Sequence, residues 1–214
     1  MEKVKPVENR DRLFRLALSL AIVTVVYNIA EGLISAWFGI KDETLTLFGF
    51  GMDSFVETIS ALGITQMIIR IRSHPNSERG RFEVRALKVT GWCFYALGVI
   101  LTVSAIYNLI HDRQPVSTTA GVIIAAISIL SMWALIRAKT YVGKKLGSAP
   151  IITDARCNLV CLYMSLVLLA ASGLWYLFHI PYIDLAGTAG LVYFSVKEGK
   201  EAFERAKGLD KCEV

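Results

Sequence analysis

Asp53-Ser54-Phe55-Val56-Glu57 sets two carboxylates four residues apart inside the apolar run 44–69. A run of that length and composition crosses a bilayer as a helix, and residues at i and i+4 project from one helix face. A second stretch, Cys157-Asn158-Leu159-Val160-Cys161, does the same with two thiols inside the run 151–178. Each stretch offers two metal ligands pointing the same way. Together they predict one metal site near the middle of a membrane bundle.

The rest of the chain fits that frame. Its 214 residues are 54% hydrophobic and 19% charged, with a mean hydropathy of +0.51, outside the balance of a soluble domain. Runs able to cross the roughly 30 Å of hydrocarbon fall at 16–39, 44–69, 86–110, 117–137, 151–178 and 181–203. This predicts an all-α membrane protein, a six-helix transmembrane bundle, with residues 1–214 as a single transmembrane domain and no soluble C-terminal domain. The first run lacks a small-residue cleavage site and is expected to stay as a span. Ser73 to Arg81 is polar and rich in breakers, and reads as the turn between helices 2 and 3. Phe178-His179-Ile180-Pro181 reads as a tight reversal before helix 6, because proline suits the first turn of a helix.

Basic residues gather in alternate connections. Lys3, Lys5, Arg10, Arg12 and Arg15 precede the first run, and Arg70, Arg72, Arg79, Arg81, Arg85 and Lys88 lie about the second loop. Arg137, Lys139, Lys144 and Lys145 fall in the fourth, and Lys197, Lys200, Arg205, Lys207 and Lys211 in the tail; the other loops contain only Lys41 and Arg113. The bias predicts that both the N- and C-termini are cytoplasmic. It also accounts for the net charge of +5, so nucleic acid is not implied as a partner. Four cysteines, two of them deep in one span, do not form a secreted disulfide framework.

Charges within apolar spans are costly and mark function. Six positions qualify: Glu31, Asp53, Glu57, Asp154, Arg156 and Asp184. Five are acidic, which suits a path for cations or protons, since only negative charge or lone pairs offset a cation's desolvation. Glu57 lies 13 residues before Arg70 and Cys157 lies 12 after Lys145, about 18–20 Å along each helix at 1.5 Å per residue. Asp53 and Cys161 lie 17 and 16 residues from the same markers. All four can then face one another in two layers. Two carboxylates and two thiolates suit zinc, with cadmium, iron(II) and cobalt(II) as competitors, while magnesium and calcium fit poorly.

Blander readings exist for each group. Two buried cysteines at this spacing are by themselves more often packing than ligands. Asp154 and Asp184 have helix-end roles open to them, and Arg156 can snorkel or neutralise an acid. Glu31, Asp154, Asn158 and Asp184 stand as accessory or proton-coupling candidates, and Gly49 and Gly51 as points of close helix packing.

The chain resembles the cation diffusion facilitator family of divalent-metal transporters. Phe48 to Glu57 lies over the family's helix 2 run "LADAxHSLSD", with Asp53 and Glu57 on its ligand positions. Asp154-Ala155-Arg156-Cys157 followed by Cys161 matches the helix 5 text "ADAxHxxxSD", with cysteine at both ligand positions. His74-Pro75 with Gly80-Arg81-Phe82-Glu83 is similar to "HPxGHGRAE", one residue longer and without the second histidine, and Asp184-Leu185-Ala186 is similar to "DPxA". The resemblance implies a homodimer in the plasma or inner membrane that exports a divalent metal ion in exchange for protons. It covers the chain to about residue 205, without the family's cytoplasmic metal-sensing domain.

The residues allow such an exchange, because ligands must lose protons to bind metal. The competing reading is a membrane metal or redox sensor, or an assembly subunit, that uses Cys157 and Cys161 as switchable thiols. An intramembrane enzyme is a third, but no span carries a histidine at its middle.

Overall fold

Long apolar runs with few breakers fold as six helices: α1 Val7–Lys41, α2 Leu45–Ser73, α3 Arg81–Ile110, α4 Thr119–Leu146, α5 Ala149–Phe178 and α6 Ile183–Ala206. The structure, a computed structural model, describes residues 7–73, 81–179 and 182–208; for residues 7–10, 71, 82, 83, 149, 150, 153, 154, 156 and 157 it describes the backbone alone. Most of the polar loop expected between helices 2 and 3, and Pro181 of the expected reversal, lie outside the described residues.

Helices run past the apolar runs because hydropathy reads the hydrocarbon belt and not the hydrogen-bonded segment. The 35 residues of α1 extend about 52 Å at 1.5 Å per residue, well beyond the roughly 30 Å of hydrocarbon. Basic residues read as loop charges therefore sit on helix ends: Arg70 and Arg72 on α2, Arg137 to Lys145 on α4, Lys197 to Arg205 on α6. Lys139 is a correction of another kind, since it is buried, with 3% of its surface exposed. Among the described residues five helices are apolar enough to cross a membrane by themselves, α1 to α5. The second half of α6, from Lys197 onward, carries too many charges for that, and this helix depends on the bundle for its burial.

Neighbour contacts order the helices as a ring, α1–α2–α3–α6–α5–α4 and back to α1, with α2 also touching α5 and α6 across the interior. Half of the apolar window of α2 is buried, against 22–33% for the other four spans. It is thus the central helix among them. Gly51 allows this on the α1 side, where an added Cβ would sit 2.6 Å from the backbone nitrogen of Ala36. Leu47, Phe50, Leu97, Leu101, Met164, Leu168 and Leu191 form the main apolar core. Trp37, Trp92, Leu130, Trp133 and Leu177 are more than half exposed on the outer surface, as side chains facing lipid are.

The end of the bundle away from the start of α1 is stitched together. The Val116 N–H donates to the Asp42 carbonyl at 2.9 Å, the Thr44 hydroxyl to the Ser117 carbonyl at 3.0 Å, and the Tyr182 hydroxyl to Asp112 at 2.9 Å. At the other end Gly147, in the left-handed conformation at φ 63°, closes α4 and allows the short turn into α5. Arg72 and Asp11 pair there at 3.6 Å. The start of α1 and the end of α6 lie on this side, because six helices with short connections alternate in direction.

Candidate metal-transport site

α2 and α5 bring Glu57 and Cys161 together: the Cys161 thiol donates a hydrogen bond to Glu57 Oε1. The other oxygen, Oε2, accepts from Asn28 Nδ2 of α1 at 3.3 Å. One turn along α2, Asp53 is 1% exposed and its Oδ1 has no hydrogen-bond partner. A buried carboxylate oxygen without a donor is costly and calls for an explanation. A cation supplies one.

Glu31 completes the acidic interior. Its Oε1 accepts from the Tyr27 hydroxyl at 2.8 Å and its Oε2 from Ser54 at 3.1 Å, so it is braced against the residue next to Asp53. Asp53 lies within electrostatic reach of Glu57, Glu198 and Glu31, and Lys139 opposes the acids around Glu57. Carboxylates from α1, α2 and α6 thus act on one another electrostatically around Asp53. That field favours cations and repels anions.

A cavity of about 50 Å³ opens beside the pair, lined among others by Asn28, Glu57, Asn158, Cys161, Glu198 and Arg205. Its lining includes Ala202 and Arg205 at the end of α6 and Thr90 early in α3, so it leads from the site toward the end that holds the start of α1 and the end of α6. Asn158 is 7% exposed and its amide nitrogen lacks a partner.

The expected residues divide as follows. Glu57 and Cys161 meet, Asp53 lies one turn along α2 within electrostatic reach of Glu57 and Glu31, and Asn158 lines the cavity. The side chains of Asp154, Arg156 and Cys157 lie outside the described residues. Among the described residues no three His, Cys, Asp or Glu side chains converge as a ready metal cage. Asp184 is elsewhere, at the far end of α6, where its carboxylate accepts the N–H groups of Leu45 at 2.8 Å and Thr46 at 3.2 Å. Cys93 and Cys161 are free thiols.

The layering differs from the count along the sequence, which set Glu57 level with Cys157. Arg70 lies inside α2, and Lys145 belongs to α4, before the turn at Gly147 and Ser148. Counted from the helix ends Ser73 and Ala149, Glu57 is 16 residues in, Cys161 is 12 and Cys157 is eight. Cys161 is then the nearer partner, and the long Glu57 side chain closes the remaining gap.

Glu198 and Asn28 were not singled out from the sequence. Glu198 falls within the run 181–203, between Lys197 and Lys200. Its signal was the helical stripe Asp184, Gly187, Thr188, Leu191, Ser195, Glu198, Gly199 and Ala202, all buried, which puts Glu198 on the inward face at i, i+3, i+4 spacing.

A sequence model of the cation efflux transmembrane domain matches residues 20–206. Comparison with curated proteins gives no match. The family consists of transporters, which sets aside the enzyme reading. The match takes in all of α2 to α6 and most of α1, with the acidic interior and its cavity inside the matched span. The chain belongs to the cation diffusion facilitator family and is a multi-pass membrane transporter of divalent metal cations.

Proposed function

We propose that the chain exports zinc from the cytoplasm in exchange for protons, through a site built on Asp53, Glu57, Cys157 and Cys161. The observation that carries this reading is the Glu57–Cys161 contact between α2 and α5, beside a buried Asp53 with an unpartnered oxygen. A carboxylate and a thiol in contact form a mixed oxygen and sulfur donor set, which suits zinc, cadmium, iron(II) or cobalt(II) better than a hard ion. Cys157, one turn from Cys161 on α5, supplies the second sulfur and Asp53 the second carboxylate.

The proton that the Cys161 thiol donates to Glu57 marks where exchange occurs. Zinc binding displaces the thiol proton and any carboxylate proton, because both ligands bind the metal in deprotonated form. Loss of the ion to the opposite side frees the same groups to take up protons there. Glu31, held by Tyr27 and Ser54, is the accessory proton carrier, and Asn158 orients the incoming ion. Asp184 has a structural role as the cap of α2. The basic residues on the terminal side favour a cytoplasmic location for both termini. The cavity then opens inward, toward the cytoplasmic metal pool of a plasma or inner membrane. The protein works as a homodimer held by its membrane helices.

The test is zinc binding to purified protein, by calorimetry in detergent. About one zinc per chain is expected, and loss of that binding in both Asp53→Ala and Cys161→Ala. Undiminished stoichiometric binding in both variants would end the site assignment.

A further inference from the structure

We propose that Glu198 of α6, with the Asn28 carbonyl oxygen and the Thr90 hydroxyl, forms a loading subsite for a divalent cation on the terminal side of Glu57. The inference rests on the reading of Glu57 and Cys161 as the metal site. Glu198 is 7% exposed and lies eight residues before the end of α6, while Arg205 lies one before it. Both line the same cavity as Glu57. Glu198 therefore stands between the cavity mouth and the pair at its base.

Three further observations point to a ligand there. Asn28 is 2% exposed and gives its Nδ2 to Glu57, so its Oδ1 is the unused end of the amide, without a hydrogen-bond partner. Thr90, on α3, is also 2% exposed, and its hydroxyl has no partner. Both residues line the cavity. Leaving two buried polar oxygens unmatched is unfavourable, and a cation bound among them satisfies both. A cluster of acids alone does not define a site, but these neutral oxygens come from different helices and border the same space.

The chemistry separates the two positions. Glu198, Asn28 and Thr90 offer oxygen only, a hard set that accepts many divalent ions loosely. Cys161 adds the sulfur that discriminates among them. Glu57 borders both positions, so one ion passes from the outer to the inner set and the two are not filled together. Glu198 thus governs how readily an ion is captured, whereas Cys161 governs which ion is kept.

The test is zinc flux in proteoliposomes across a range of zinc concentrations, for wild type, Glu198→Gln, Glu198→Asp and Glu57→Gln. Glu198→Gln keeps the shape and removes the charge. It should raise KM about tenfold with a much smaller change in kcat, and Glu198→Asp should recover most of the loss. The Glu198→Gln protein should still bind about one zinc at equilibrium. An unchanged KM in Glu198→Gln, alongside lost flux in Glu57→Gln, overturns the loading role alone. A fall in kcat at constant KM overturns it as well, because the residue then serves a later step. Normal flux in both Gln variants overturns the inner site and the loading role together.

Discussion

Asp184, the second residue of α6, caps a different helix: its Oδ2 accepts the backbone N–H of Leu45, the first residue of α2, at 2.8 Å. Its Oδ1 takes the next N–H, that of Thr46, at 3.2 Å, and the Thr46 hydroxyl returns a bond to the Asp184 carbonyl at 2.7 Å. The first N–H groups of a helix have no partner inside it, and here α6 supplies one. A negative charge at that end also complements the helix dipole. The cap fixes the axial position of the helix that carries Asp53 and Glu57.

Removing that cap should therefore cost stability before it costs metal affinity. Asp184→Ala leaves two buried donors unmatched, for an expected loss of about 2–4 kcal/mol. Thermal unfolding in detergent should show a lower Tm, with Asp184→Asn falling between the two because it keeps one acceptor. Zinc affinity should change far less than in Asp53→Ala. An unchanged Tm in Asp184→Ala would show that the cap contributes nothing.

Helix contact is close at Gly51. A Cβ there would lie 2.6 Å from the Ala36 nitrogen and 3.0 Å from the Gly32 carbonyl oxygen, both rigid backbone atoms. Gly51→Ala should force α1 and α2 apart at a cost of about 1–3 kcal/mol. Gly173 is the control, since nothing lies within 4 Å of its would-be Cβ. Gly173→Ala should be neutral or stabilising by up to about 1 kcal/mol. Equal Tm values for the two variants would contradict the close packing.

Metal preference should follow the sulfur. Cys161→Ser replaces a soft donor with a hard one at nearly constant shape, so cadmium should lose affinity more than zinc, and zinc more than manganese. Competition titrations on wild type and variant measure the order. If cadmium and zinc weaken by the same factor, Cys161 is not a ligand.

Much of this architecture was legible in the sequence for a simple reason: burying a charge in hydrocarbon is so costly that acidic residues within apolar runs stand out. Glu31, Asp53 and Glu57 were found that way, and Asp53 lies within electrostatic reach of the other two. Glu198 and Lys139 were not, because each follows or precedes a cluster of exposed basic residues at a helix end. There hydropathy averages over a full turn and hides which face a single side chain takes. The pairing of Glu57 with Cys161 also escaped counting, since the turn at Gly147 shifts the start of α5 relative to any loop marker. Asn28 had no signal of its own, as a lone amide in a span has many structural uses.

Because metal ligands must be deprotonated, zinc affinity should rise with pH over the range where the site loses protons. Isothermal titration at several pH values in buffers of different ionisation enthalpy counts the protons released per zinc. Release of at least one proton is expected, from the Cys161–Glu57 pair. A pH-independent affinity with no proton release would rule out direct competition.

The most direct measurement is coupled flux in vesicles oriented with the cavity side outward, with one dye reporting lumenal zinc and another lumenal pH. Exchange at Glu57 and Cys161 predicts that the lumen becomes more alkaline as zinc enters, and that uptake accelerates when the lumen starts acidic. Glu57→Gln should weaken zinc uptake and pH change together, because one group serves both. Zinc flux that persists in Glu57→Gln without any pH dependence would contradict the claim that this pair is where metal and protons exchange.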